Sequence, residues 1–148
     1  KFVIFGRIHL QDWVGGFANR RARIILKDAD GFEMEVHHVD LDSEGGYTVE
    51  TGLQGEVTLC AKSSHWLQRC RNINITENGV TVGPLSLING DVDGDNEVGP
   101  GDFLDFVRAF GSAPGEPRWN PEADLDGDEE VGPSDFSILA NNFGEEGQ

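Results

Sequence analysis

Apolar and polar positions alternate with a period of two through most of the first 88 residues. In Ala22-Arg23-Ile24-Ile25-Leu26, residues Ala22, Ile24 and Leu26 fall on one side. Phe32-Glu33-Met34-Glu35-Val36 alternates cleanly, and so does Val39-Asp40-Leu41. Residues 2–10 are mostly apolar, and 47–50, 56–61, 73–75 and 80–87 continue the series. Turn signals separate these runs at Asp30-Gly31, Glu44-Gly45-Gly46, Gln54-Gly55 and Asn78-Gly79. About seven short strands at this spacing predict an antiparallel β-sandwich over 1–88. No helical period of useful length occurs there.

The pattern changes at Asn89-Gly90, so 89–148 is read as a second domain. Residues 91–111 and 124–144 form an internal repeat offset by 33 residues, identical at 12 of 21 positions. Each copy ends in an apolar stripe at helical spacing: Phe103, Phe106, Val107 and Phe110, then Phe136, Leu139, Ala140 and Phe143. Pro100 and Pro133 suit a first helical turn, and Gly111 and Gly144 suit a helix end. Helices of about ten residues do not persist alone in water. The stripes are therefore expected to pack on each other, with Trp119 pinning the linker 112–123 to the pair.

Charge sharpens this division. The chain carries 27 Asp and Glu against 11 Lys and Arg, a net of −16. Sixteen of those acids and only two of the bases lie in 89–148, a net of −14; residues 1–88 carry −2. Such a field repels phosphate and excludes nucleic acid as a partner. Crowded carboxylates also require a cation or disorder. No stretch approaches the roughly 20 apolar residues that span a bilayer. Lys1 leads directly into the apolar run 2–5, which is no leader peptide; either a leader has been removed or the chain is a fragment.

The repeated loops supply the cation site. A twelve-residue EF-hand-type loop offers oxygens from positions 1, 3, 5, 7, 9 and 12 to calcium, a hard cation with six to eight ligands. In 91–102 these are Asp91, Asp93, Asp95, the carbonyl of Glu97, a water near Gly99, and Asp102. In 124–135 they are Asp124, Asp126, Asp128, the carbonyl of Glu130, a water near Gly132, and Asp135. Solvated acidic loops would not explain Asp at 1, 3, 5 and 12 in both copies. Val98 and Val131 at position 8 are expected to point inward and pair the loops. Position 6, normally Gly at a sharp turn, is Asn96 and Glu129, which implies unequal sites. Position 12 is Asp, so each loop must close further to reach an ion.

Loop plus following helix, given twice without a helix before the loop, resembles the dockerin module of bacterial extracellular complexes over roughly 89–144. The resemblance implies two calcium ions on the ligands above, antiparallel helices, and docking onto a cohesin domain. Many dockerins carry a hydroxyl-bearing recognition pair at positions 10 and 11. Here those positions are Pro100-Gly101 and Pro133-Ser134, so only Ser134 fits. Residues 1–88 look like an Ig-like, carboxypeptidase regulatory-like or prealbumin-like sandwich. The resemblance rests on Gly6-Arg7-Ile8, the 22–26 run, Asp42-Ser43-Glu44-Gly45-Gly46-Tyr47 and Leu53-Gln54-Gly55-Glu56. Such modules are usually non-catalytic and extracellular.

Cys60 and Cys70 form one disulfide if the protein is secreted, or else two separate buried thiols. Cys60, His65 and Cys70 lack a fourth zinc ligand, and His65 is expected to be solvated. No nucleophile or acid–base constellation stands apart from the acidic loops. The reading is a non-enzymatic, extracellular or cell-surface, bacterial assembly protein. Self-association into a filament or layer ranks first, through the Arg20-Arg21-Ala22-Arg23 cluster and strand addition by residues 2–5. The alternative is an adaptor that docks a secreted protein onto a cohesin-like scaffold.

Overall fold

The computed structural model describes residues 1–148. Eight strands come first: β1 (Phe2–Leu10), β2 (Arg21–Lys27), β3 (Glu33–Asp40), β4 (Gly46–Thr51), β5 (Gly55–Ser63), β6 (Trp66–Ile75), β7 (Val80–Thr81) and β8 (Leu85–Leu87). Two helices follow, α1 (Pro100–Ala109) and α2 (Pro133–Asn142), with a single 3-10 turn (Pro121–Ala123) between them.

The strands form two sheets. One has the order β3-β2-β5-β6 and is antiparallel throughout. The other has the order β4-β1-β7, with β8 also on β1. Here β4 is antiparallel to β1, but β7 and β8 run parallel to it. The second sheet is thus mixed, where the alternation pattern predicts an antiparallel sandwich. The expected strand over 80–87 is also split in two. Gly83-Pro84 breaks it, because proline brings no N–H to a ladder. β1 lies between β4 and the β7/β8 pair, so Ile4 and Phe5 of the 2–5 run are already paired on both sides.

Between the sheets lies a core of 18 buried residues. Ala22, Ile24 and Leu26 all enter it, as their alternation predicts. β3 departs from the simple rule that the apolar face goes inward. Its residues Glu35, His37 and Val39 stand opposite Leu26, Ile24 and Ala22, and so share their inward face. Phe32, just before the strand, and Met34 and Val36 within it are 72%, 39% and 44% exposed. The inward polar pair is satisfied locally: Glu35 bonds His37 Nε2 (2.7 Å) and accepts the Thr51 hydroxyl (3.0 Å). A strand at the sheet edge tolerates this because water and neighbouring side chains reach both its faces. Cys60 and Cys70 stand directly opposite on β5 and β6 and are joined by a disulfide.

A second core of ten buried residues lies under the two helices. It contains Val92, Val98, Phe106, Leu125, Val131 and Leu139, and also Leu67, a residue of strand β6. Trp119 packs against it. The predicted helix stripes meet only in part. Phe106 and Leu139 are buried, but Phe103, Val107, Phe110, Phe136, Ala140 and Phe143 are exposed. The loop residues and Leu67 fill the centre, so the buried faces shift toward Ala109 and Ile138.

The cores are bridged by a polar joint. His65 O accepts the N–H groups of Gly90 (3.0 Å) and Asp91 (2.8 Å). The Asn89 side chain donates to Gln11 O (3.0 Å) and Leu125 O (2.7 Å) and accepts from His65 Nδ1 (2.8 Å). Asn142 Nδ2 reaches Gln11 Oε1 (3.1 Å) and Asn89 O (2.8 Å). The C-terminal Gln148 closes the far side, exchanging bonds with Gln68 and receiving the Cys70 N–H.

Candidate metal centres

Each acidic loop winds through a chain of side-chain-to-backbone bonds, which Asp forms readily in turns. In the first, Asp93 Oδ1 accepts the Asp95 N–H (3.2 Å), Asp95 Oδ1 accepts the Glu97 N–H (3.0 Å), and Asp91 Oδ2 accepts the Asn96 N–H (3.0 Å). The second repeats this pattern: Asp126 with Asp128 (3.2 Å), Asp128 with Glu130 (3.1 Å), Asp124 with Glu129 (3.0 Å). Asn96 and Glu129 adopt left-handed φ angles of 67° and 66°, the turn a Gly would make without strain.

Position 12 closes each loop. Asp102 Oδ1 accepts the Asp93 N–H (3.0 Å) and Oδ2 accepts the Gly99 N–H (2.7 Å). Asp135 does the same with Asp126 (3.1 Å) and Gly132 (2.9 Å). Both residues lie in the first turn of the following helix, where a carboxylate also meets the positive end of the helix dipole. The closure anticipated for the short Asp side chain is therefore built into the helix start.

These bonds gather carboxylate oxygens from Asp91, Asp93, Asp95 and Asp102 within 4.8 Å of one another, and likewise from Asp124, Asp126, Asp128 and Asp135. Burial, strengthened by the neighbouring acids, pushes Asp102 and Asp135 up to about 6 and Asp124 up to about 7. Such groups give up their protons at higher pH than a free carboxylate does, and a bound cation would favour their charged form. Asp91 Oδ1 is buried without a hydrogen-bond partner. The carbonyl oxygens of Glu97 and Glu130 accept no backbone hydrogen bond. The donors are all oxygen, with no imidazole or thiolate among them, and this suits a hard divalent cation such as calcium.

Val98 and Val131 are fully buried in the same core, but their backbones do not pair with each other. Val98 exchanges backbone bonds with Gly144 (2.7 Å) and Glu145 (2.9 Å), just beyond α2. Val131 does so with Gly111 (2.7 Å) and Ser112 (3.0 Å), just beyond α1. Each loop is thus clamped to the end of the other repeat's helix.

Several residues of this region carried no signal in sequence. Lys62 on β5 places Nζ 3.0 Å from Asp91 Oδ2, and Asn96 Oδ1 accepts the Gln68 N–H of β6 (2.8 Å). Val14 N–H donates to Asp126 O (2.8 Å). His65 is buried rather than solvated. It stacks on Trp66 (3.9 Å between centroids), and burial pushes its pKa down to about 3, so it is a neutral joint residue. The disulfide leaves no thiol for a zinc site. No helix is long and apolar enough to cross a membrane.

Residues 89–144 match the family model of the dockerin type I domain. Among solved structures, the whole chain is similar to a C-terminal interface mutant of a type II cohesin–X-dockerin complex from Acetivibrio cellulolyticus. The TM-score is 0.76 at 19% identity, covering 99% of this chain and 97% of that one. An N-terminal interface mutant of the same kind of complex from that organism aligns with a TM-score of 0.72 at 18% identity, with the same coverage. At these identities the likeness is one of fold, and it spans the sandwich and the helical region together. No curated protein matches the chain.

Proposed function

We propose that this chain is a non-catalytic docking unit of an extracellular bacterial assembly, in which residues 89–148 bind a cohesin-like domain and residues 1–88 buttress them. The observation that carries this reading is the fold likeness along the full chain to cohesin-bound X-dockerin structures, added to the dockerin type I match. In this reading two calcium ions hold the loops. One is bound by Asp91, Asp93, Asp95, the Glu97 carbonyl and Asp102, the other by Asp124, Asp126, Asp128, the Glu130 carbonyl and Asp135. Crowded, proton-hungry carboxylates and the orphaned Asp91 oxygen support the assignment.

The partner would meet the exposed side of the helix pair. Phe103, Val107, Phe110 and Phe136 line an open groove there with Pro133 and Arg118. Pro133 occupies a place where many dockerins carry a hydroxyl, so recognition on this face would rest on apolar contact more than on hydroxyl bonds. Docking now ranks above self-association. For strand addition, β1 is already paired on both sides at Ile4 and Phe5. Of the arginine cluster, Arg20 lies over the Trp13 ring (4.3 Å) and Arg21 pairs with Asp40 (3.4 Å).

Calorimetry tests both halves of the reading. Calcium titration of the chelated protein should give two ions per chain; a clearly different stoichiometry removes the ligand assignment. Titration with a panel of type I and type II cohesin domains should give binding in calcium and none in EGTA. Two bound ions with no cohesin binding, together with calcium-dependent growth in light scattering, would restore the self-association reading.

A further inference from the structure

We propose that Lys62 of the sandwich stands in for a cation at the first acidic loop and keeps that loop docked on the sandwich when calcium is absent. The proposal rests on the calcium reading above and extends it to a residue outside the loops. Asp91 opens the first loop, and its side chain is wholly buried. A buried carboxylate is stable only when paired or bonded. Lys62, itself nearly buried, places its ammonium 3.0 Å from Asp91 Oδ2 and donates its other bond to Ser64 O (2.7 Å). Asp91 Oδ1 is left free for an ion.

The second loop has no such partner. No Lys, Arg or His pairs with Asp124, Asp126, Asp128 or Asp135, whereas in the first loop Asp91 is paired. The first loop meets the sandwich through His65 O to Gly90 and Asp91, and through Asn96 Oδ1 to Gln68 N–H; the second meets it through Val14 N–H to Asp126 O, with no charged partner there. An internal ammonium at this point offsets the Asp91 charge where the loop meets β5 and β6. Losing calcium would then open the second loop while the bonds at Gly90, Asp91 and Gln68 hold. The two loops have near-identical ligands in sequence, and their different surroundings make them unequal.

Amide hydrogen exchange of the full chain, in calcium and in EGTA, tests this on wild type, Lys62→Met and Lys62→Arg. In EGTA the wild type should keep protection at Gly90, Asp91 and Gln68, while Asp126, Glu129 and Gly132 exchange faster by about tenfold or more. Lys62→Met should lose protection at Gly90, Asp91 and Gln68 in EGTA by a similar factor and regain it in calcium. Lys62→Arg should behave as wild type, which separates the charge from mere packing. Equal protection in Lys62→Met and wild type in EGTA overturns the proposal, as does simultaneous loss at both loops in the wild type. Exchange that is insensitive to calcium at both loops overturns the calcium reading, and this proposal with it.

Discussion

Leu67 lies on strand β6, yet its fully buried side chain belongs to the core under the helices. Leu67→Ala therefore probes whether the sandwich is a structural part of the helical region's fold. The substitution removes three buried carbons, each worth about 0.8 kcal/mol when taken from water. The space left behind adds a cavity cost, because neighbours such as Val92, Phe106 and Leu139 sit on fixed backbones. The expected loss is about 3 kcal/mol, inside the usual range of roughly 2–5 for a buried Leu→Ala. Urea unfolding in calcium, followed by amide resonances, reads the two cores separately. Val131 reports the helical core and Ile24 the sandwich core. With a slope of about 1–2 kcal/mol per molar urea, the Val131 midpoint should fall by about 1.5–3 M. The Ile24 midpoint should move far less. A fall at Ile24 with Val131 unchanged would refute the assignment of Leu67 to the helical core.

Other outcomes follow from the loops and the exposed face. Burial raises Asp102, Asp124 and Asp135 to about 6, 7 and 6, so stability from their protonated forms is complete below about pH 4 and is lost as pH rises through 6 to 7. The calcium-free protein should therefore melt higher at pH 5 than at pH 8, with calcium affinity moving the opposite way; a higher calcium-free Tm at pH 8 would contradict the shifts. Glu129→Gly should stabilise by about 1 kcal/mol, since it relieves a left-handed turn. Asn96→Gly should be neutral or destabilising by about 1 kcal/mol in the same melts, because it also strips the acceptor from the Gln68 N–H. If the docking proposal holds, Phe103→Ala with Phe136→Ala should weaken binding of a cohesin domain at least tenfold in calorimetry, by analogy with apolar hot spots worth about 2 kcal/mol. Their Tm should change little, as both rings are about half exposed. Reducing the Cys60–Cys70 disulfide, which closes a short hairpin, should cost about 2–3 kcal/mol in urea unfolding.

How much was legible depends on the range of each interaction. Val98 and Val131 were legible as buried, but not in what they pair with. Their partners, Gly144 with Glu145 and Gly111 with Ser112, lie at the ends of the opposite repeat's helices. The alternation of β3 shows two faces and not which one turns inward. Glu35 and His37 went in because they stand beside Leu26 and Ile24 in the register, which the strand's own residues do not set. The split between β7 and β8 had a local signal in Gly83-Pro84, while the parallel pairing on β1 did not. The cysteine spacing left two readings open, and the direct opposition of Cys60 and Cys70 in the β5–β6 hairpin decided between them.

By itself, then, the sequence determined the acidic loops and the helix starts. A twelve-residue loop, its Asp-to-backbone turns and the left-handed Asn96 and Glu129 are built from neighbours in the chain. Tertiary structure alone decided what surrounds the loops. Lys62 meets Asp91, Leu67 enters the second core, and Gln11 and Asn89 link the two regions across long stretches of chain. Those contacts come from how one sheet's end packs against a helix pair, and no local pattern encodes that packing. The similarity of the two loops is therefore local, and the fold adds to the difference that Asn96 and Glu129 already mark.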